Sequence, residues 1–192
     1  MTADPILQVQ GLGKIYEEFA LRNVSFTLPR GYVMGLIGPN GAGKTTTLKL
    51  ILGLIHRDAG EIRIFGADPA ERGAAIRARI GFVHDEPRFY RHLSLAANAA
   101  LVAGFYRDWD QQAFRRLAAD FGLSLGKSYG KLSRGNRTRF ALALALSHRA
   151  ELIVMDEPTT GLDPLFRREL LDELAKILEQ ERASILFSTH IT

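Results

Sequence analysis

Apolar and polar positions change their rhythm repeatedly along the chain. In the first third the apolar positions fall in short runs or alternate, at residues 7–10, at Val24, Phe26 and Leu28, at 32–37 and at 61–65, which predicts strands. The run at 32–37 is almost continuously apolar and predicts a buried strand, and residues 45–52 after it read as a helix. Pro29-Arg30-Gly31 and residues 66–69 punctuate this part as turns. A helical pattern follows at 69–79, then a short strand at 80–83 and a loop holding Asp85-Glu86-Pro87. From 94 to 146 the period is helical with breaks at 104–108 and 122–130, which predicts an inserted helical subdomain. The chain then returns to strand at 152–155, helix from Pro164 to about Gln180, and strand at 184–187. Such alternation predicts an α/β fold with a mainly parallel sheet covered by helices. No internal repeat is visible.

Composition narrows the picture without changing it. At 192 residues, 46% hydrophobic and 24% charged, the chain is expected to form one globular domain, or one domain with a small subdomain. The longest unbroken apolar stretch in the second half, from Phe140 to Leu146, falls far short of the ~18 residues that a membrane span needs. The first ten residues carry neither a basic nor an apolar signal region, so a cytosolic address is expected. With no cysteine there are no disulfides and no thiolate metal ligands, and the five histidines have no metal-ligand spacing. The net charge of +4 is spread along the chain, and its densest cluster is Arg134, Arg137 and Arg139 at a predicted helix start. That distribution, with no nucleic-acid-binding motif beside it, favours a solvated face over a polyanion patch and predicts no nucleic-acid partner.

Two stretches carry chemistry. Gly38-Pro39-Asn40-Gly41-Ala42-Gly43-Lys44-Thr45 fits the phosphate-binding loop and sits between a predicted strand and a predicted helix. There, backbone N–H groups and the helix dipole both face an anion. Glycines let the backbone approach the ligand, Lys44 meets the β- and γ-phosphates, and the Thr45 hydroxyl suits Mg²⁺, so the loop predicts binding of a nucleoside triphosphate. The second stretch is the apolar run 152–155, which ends in Asp156-Glu157. A strand that delivers acids to its carboxyl end puts them where open α/β sheets bind ligands. Asp156 then suits Mg²⁺ and Glu157 suits a water. Thr189 and His190 stand at another strand end and are candidates to face the γ-phosphate.

With these motifs the chain resembles the ATP-binding cassette (ABC) ATPases over essentially its whole length. Leu132-Ser133-Arg134-Gly135-Asn136 resembles the family's Leu-Ser-Gly-Gly-Gln signature, and residues 156–164 resemble the end of Walker B running into the D-loop. Ser188-Thr189-His190 resembles the switch histidine, and Tyr16 resembles the aromatic that stacks on adenine. The resemblance implies a P-loop NTPase fold with an antiparallel N-terminal β part and a single domain over 1–192, of which 88–146 is the helical subdomain. Family members usually continue beyond the position of Thr192, so a C-terminally truncated domain is expected. It also implies ATP and Mg²⁺ as ligands, held by Tyr16, residues 38–45 and Thr46. Thr45, Asp156 and Asp85 are then the candidate Mg²⁺ ligands, and Glu157, Lys44 and His190 the catalytic residues. Ser133 and Gly135 would complete the site of a second ABC subunit in a head-to-tail dimer, and a transmembrane permease would hold the assembly at the cytoplasmic face of the membrane.

Arg134 and Asn136 depart from the signature, with Arg134 either facing solvent or adding charge near the opposite phosphate. Asp85 stands where the family has a glutamine, and similar acids occur in cassettes resembling exporters. The aromatics Phe89, Tyr90, Phe105, Tyr106 and Trp109 read as core residues or as interface anchors, and the resemblance makes the first two the candidates for a permease groove. The alternative is a regulatory or soluble ABC protein without transport activity. A GTPase or small-molecule kinase is disfavoured, because the signature has no role there and no guanine-reading sequence occurs.

Overall fold

The structure, a computed structural model, describes residues 5–159, 164–181 and 183–190. Two sheets carry the fold. Strands β1 (Pro5–Ile15), β2 (Ala20–Pro29) and β4 (Ala59–Ile64) form an antiparallel sheet in the order β2-β1-β4. Strands β3 (Val33–Ile37), β5 (Ile80–Val83), β6 (Leu152–Met155) and β7 (Ser184–Thr189) form a sheet in the order β3-β7-β6-β5, every pair of it parallel. The expected α/β architecture with an antiparallel N-terminal part is thus present. β1 runs well past the predicted 7–10 because its register shifts between Val9 and Leu12, which breaks the alternation that sequence periodicity relies on.

Helices α1 (Lys44–Ile51), α2 (Pro69–Arg77), α3 (Leu95–Ala103), α4 (Gln111–Asp120), α5 (Arg134–Leu146) and α6 (Pro164–Glu181) fill the connections. Their starts follow capping chemistry. Asp68, Ser94, Asp110 and Ser133 each accept a backbone N–H in the first turn of the helix that they precede, satisfying donors that the helix itself leaves open. Side chains alternate across β6, so Leu152 and Val154 pack with β1, β4 and α1, whereas Ile153 and Met155 pack under α3, α4 and α5. Each such fully buried aliphatic side chain contributes about 1.5–3 kcal/mol, and burial on both faces explains why this strand reads as an unbroken apolar run. The approach of α5 to β5 is close enough that a Cβ on Gly81 would lie 2.7 Å from Ala145 Cβ.

One expectation fails. β3 is not buried: Val33 and Ile37 are 45% and 62% exposed, and Tyr32 before them is 60% exposed. Among the described residues β3 pairs with β7 alone, so it is an edge strand whose apolar residues are covered on one side only.

Candidate functional site

Parallel pairing brings three strand ends together. β7 lies between β3 and β6, with Ile37 opposite Thr189 and Met155 opposite Phe187. Gly38, Ser188 to His190, and Asp156 with Glu157 therefore leave the sheet side by side at its carboxyl edge. Above them residues 38–45 wrap into a loop that runs straight into α1. Gly43 is required there by both conformation and space. Its φ is 90°, and a Cβ would lie 2.8 Å from both Leu21 Cδ1 and Phe19 Cζ. The loop frames a cavity of about 350 Å³ lined by Asn40, Gly41, Lys44, Thr46, Phe19 and Glu157, among others. The first N–H groups of α1 have no acceptor within the helix and add positive potential at the loop.

The charged groups meet inside this frame. Lys44 Nζ donates to the carbonyl oxygens of Gly38 at 2.8 Å and Pro39 at 3.1 Å, and lies 3.4 Å from Glu157 Oε1. The Thr45 hydroxyl donates to Asp156 Oδ1 at 3.2 Å, and Asp156 is buried. Glu157 adopts a φ of 45°, the left-handed region that costs a non-glycine residue about 1–3 kcal/mol and concentrates at functional sites. Its Oε2 lies 2.9 Å from His190 Nδ1. The donor set of Thr45 and Asp156 is all oxygen and fits a hard cation such as Mg²⁺, which takes few protein ligands and completes its shell with phosphate and water.

The remaining sequence candidates scatter. Tyr16 is half exposed, its ring 6.4 Å from Phe19 and beneath Lys14 Nζ at 5.7 Å. Ala42 holds the loop turn through its N–H to the Pro39 carbonyl at 3.2 Å. Ser133 caps α5, with Gly135 buried behind it, and neither lines the phosphate-loop cavity. Asp85 follows β5 at the same carboxyl edge, where its Oδ1 accepts from Glu86 N at 2.7 Å and contacts His84 Nδ1. It lines a separate cavity of about 500 Å³ with Arg91, Arg134 and Arg137. Of the expected D-loop, residues 160–163 lie outside the described residues.

Two residues of the site carry no assignment from sequence. Phe19 lines the phosphate cavity from the turn between β1 and β2, where its only sequence signal is an aromatic three positions after Tyr16. Ser188 bonds both acids through one hydroxyl, and it stands two residues before His190 in the Ser-Thr-His stretch.

A phosphate loop and a strand-end acid pair at the carboxyl edge of a parallel sheet define a P-loop nucleotide-binding fold. Residues 21–160 match the family described as ABC transporter, and the chain belongs to that family. It is 32% identical over 195 residues to the uncharacterized ABC transporter ATP-binding protein YdbJ of Bacillus subtilis, covering 98% of this chain and 62% of that protein. Over 190 residues it is 35% identical to a fluoroquinolones export ATP-binding protein of Mycobacterium tuberculosis, covering 96% and 62%. A solved ATP-binding subunit of an ABC transporter superposes with a TM-score of 0.83 at 33% identity, covering 97% of this chain and 80% of that one. The chain thus spans 62% of the length of these two relatives. Among the described residues no helix is long and apolar enough to cross a membrane.

Proposed function

We propose that this chain is the ATP-binding and ATP-hydrolysing subunit of an ABC transporter that powers a separate transmembrane permease from the cytoplasmic face of the membrane. The observation that carries the reading is the convergence of Lys44, Thr45, Asp156, Glu157 and His190 within one set of contacts. Residues 38–46 would cradle the phosphates, with Tyr16 and Phe19 beside the base. Thr45 and Asp156 would hold Mg²⁺, and Asp85, at the end of the neighbouring strand β5, is a third candidate for the same ion. When bound, Mg²⁺ offsets charge on the phosphate oxygens. Lys44 exchanges its carbonyl partners for phosphate, Glu157 orients the attacking water and accepts its proton, and His190 holds the Glu157 carboxylate in place and senses the γ-phosphate.

One chain carries one phosphate loop and one signature, so two composite sites need two chains. Ser133 and Gly135, at the positive end of α5, would stabilise the phosphate held by the other copy. Residues 88–146 act as the helical subdomain, and the face bearing Phe89 and Tyr90 receives the permease. The relative named for fluoroquinolone export supports export over import.

Replacing Glu157 by Gln in the full-length protein, assembled with its membrane partner, tests this reading. ATP binding is expected to persist while turnover falls by about 10²–10⁴-fold. Unchanged turnover removes Glu157 from the mechanism. A wild type that binds ATP without hydrolysing it points to a regulatory ABC protein instead.

A further inference from the structure

Ser188 is buried on β7, and its hydroxyl makes two hydrogen bonds of opposite sense. The O–H donates to Asp156 Oδ1 at 2.7 Å, and the oxygen accepts the Glu157 backbone N–H at 2.9 Å. A hydroxyl is the smallest side-chain group that can do both at once. The two acids it touches are adjacent in sequence but differ in role, and the second sits in the left-handed conformation at φ 45°. The Glu157 amide lies beyond the end of β6 at Met155, and the Ser188 hydroxyl oxygen accepts its N–H.

Strand geometry makes the arrangement selective. Ser188 lies on β7 and His190 just past its end, and both reach Glu157. Ser188 therefore takes the main chain of Glu157, while His190 Nδ1 meets the Oε2 of the same residue at 2.9 Å. One strand thus grips Glu157 at both ends. The same Ser188 hydroxyl shares Asp156 Oδ1 with Thr45 of the phosphate loop. We infer that Ser188 is a positioning residue that fixes the orientations of Asp156 and Glu157 relative to each other, so that turnover depends on its hydroxyl through those two residues. The inference rests on the ATP-hydrolysing reading above.

The test compares Ser188→Ala and Ser188→Thr in the full-length protein with its membrane partner, after thermal melting shows that each variant folds. For Ser188→Ala, kcat is expected to fall ~10–100-fold with the KM for ATP within about twofold. Hydrogen exchange at the Glu157 amide, followed by NMR or mass spectrometry on nucleotide-free protein, is expected to accelerate by at least about tenfold. Ser188→Thr, which keeps donor and acceptor, restores both. If Ser188→Ala does not fold, Ser188→Cys replaces it, because a thiol keeps the volume and weakens both bonds. A folded variant without the hydroxyl that keeps wild-type kcat, or that leaves Glu157 exchange unchanged, overturns the inference, as does a rise in KM at constant kcat. Loss of turnover in the wild type would defeat the ATPase reading, and the exchange measurement would still decide whether Ser188 holds Glu157.

Discussion

Gly43 shows how much one position in the phosphate loop has to satisfy. It combines a φ of 90° with a site where a Cβ would press on Phe19 and Leu21 at 2.8 Å. Gly43→Ala is therefore expected to shift the loop off its path, at a cost of about 1–3 kcal/mol for the strained backbone alone. Titration with a fluorescent ATP analogue checks this: affinity falls at least about tenfold, and wild-type affinity would mean that the loop relaxes around the methyl group. The sequence motif identifies the glycine. It does not identify Phe19, because the contact between them joins the loop to the β1–β2 turn, and no local pattern records that approach.

At the scale of the element, α3 and the loop before it are tied by Asn98. This buried amide accepts from Tyr90 N at 3.0 Å and donates to the carbonyl oxygens of Tyr90 and Ser94, each at 3.1 Å. The loop is held so that the five aromatics noted in the sequence separate into two groups. Phe89 packs edge-on against Tyr129 and Phe140, Tyr106 stacks on His148, and Trp109 lies against Phe114. Tyr90 and Phe105 stay 61% and 85% exposed and line a cavity of about 380 Å³ with Leu101 and Val102, and Phe89 reaches the wall of the same cavity from the packed side. Exposed aromatics beside a cavity are the usual form of an interface anchor. For the proposed permease face, Tyr90→Ala is expected to weaken co-purification with the membrane subunit by at least about tenfold while leaving the melting temperature unchanged. Undiminished association would move the docking face elsewhere. Helical periodicity locates α3 but does not divide aromatics between core and surface, because that division depends on which neighbours α5 and the 129–131 turn supply.

Across the whole molecule, charged and titratable side chains connect the two sheets. Glu151, ahead of β6, accepts from Arg79 at 2.5 Å and from Arg30 at 2.9 Å, and the Arg79 guanidinium lies 3.7 Å from the Phe65 ring at the end of β4. The hydrogen bond from Arg79, aided by Arg30, holds the Glu151 carboxyl below the usual carboxylate range. His148 is buried between α5 and β5, with Nδ1 3.2 Å from the Leu144 carbonyl and Nε2 3.1 Å from that of Ile80. Burial pushes its imidazole below the usual histidine value, against the raising effect of those carbonyls. The folded state therefore prefers neutral His148, while the unfolded chain takes up a proton at about pH 6.5. Stability is full above that value and declines as pH falls toward the lowered folded pKa. Urea midpoints from about pH 7 to about pH 5 are expected to drop more for wild type than for His148→Gln. Equal slopes would show that His148 does not couple folding to pH. The Glu151 contribution is lost at lower pH, below about 4.3.

The sequence by itself determined the phosphate loop, the acid pair, the strand-end histidine, most helix and strand positions and the family, because each is written in contiguous residues or in a local period. Tertiary structure alone decided that β3 is an exposed edge, that Phe19 lines the phosphate-loop cavity and that Asp85 lines a cavity with Arg91, Arg134 and Arg137. It also decided that Thr45 meets Asp156 across 111 positions of chain and that Ser188 meets the same carboxylate across 32. Those contacts follow from β7 lying between β3 and β6, and strand order is a property of how the whole chain packs rather than of any segment in it.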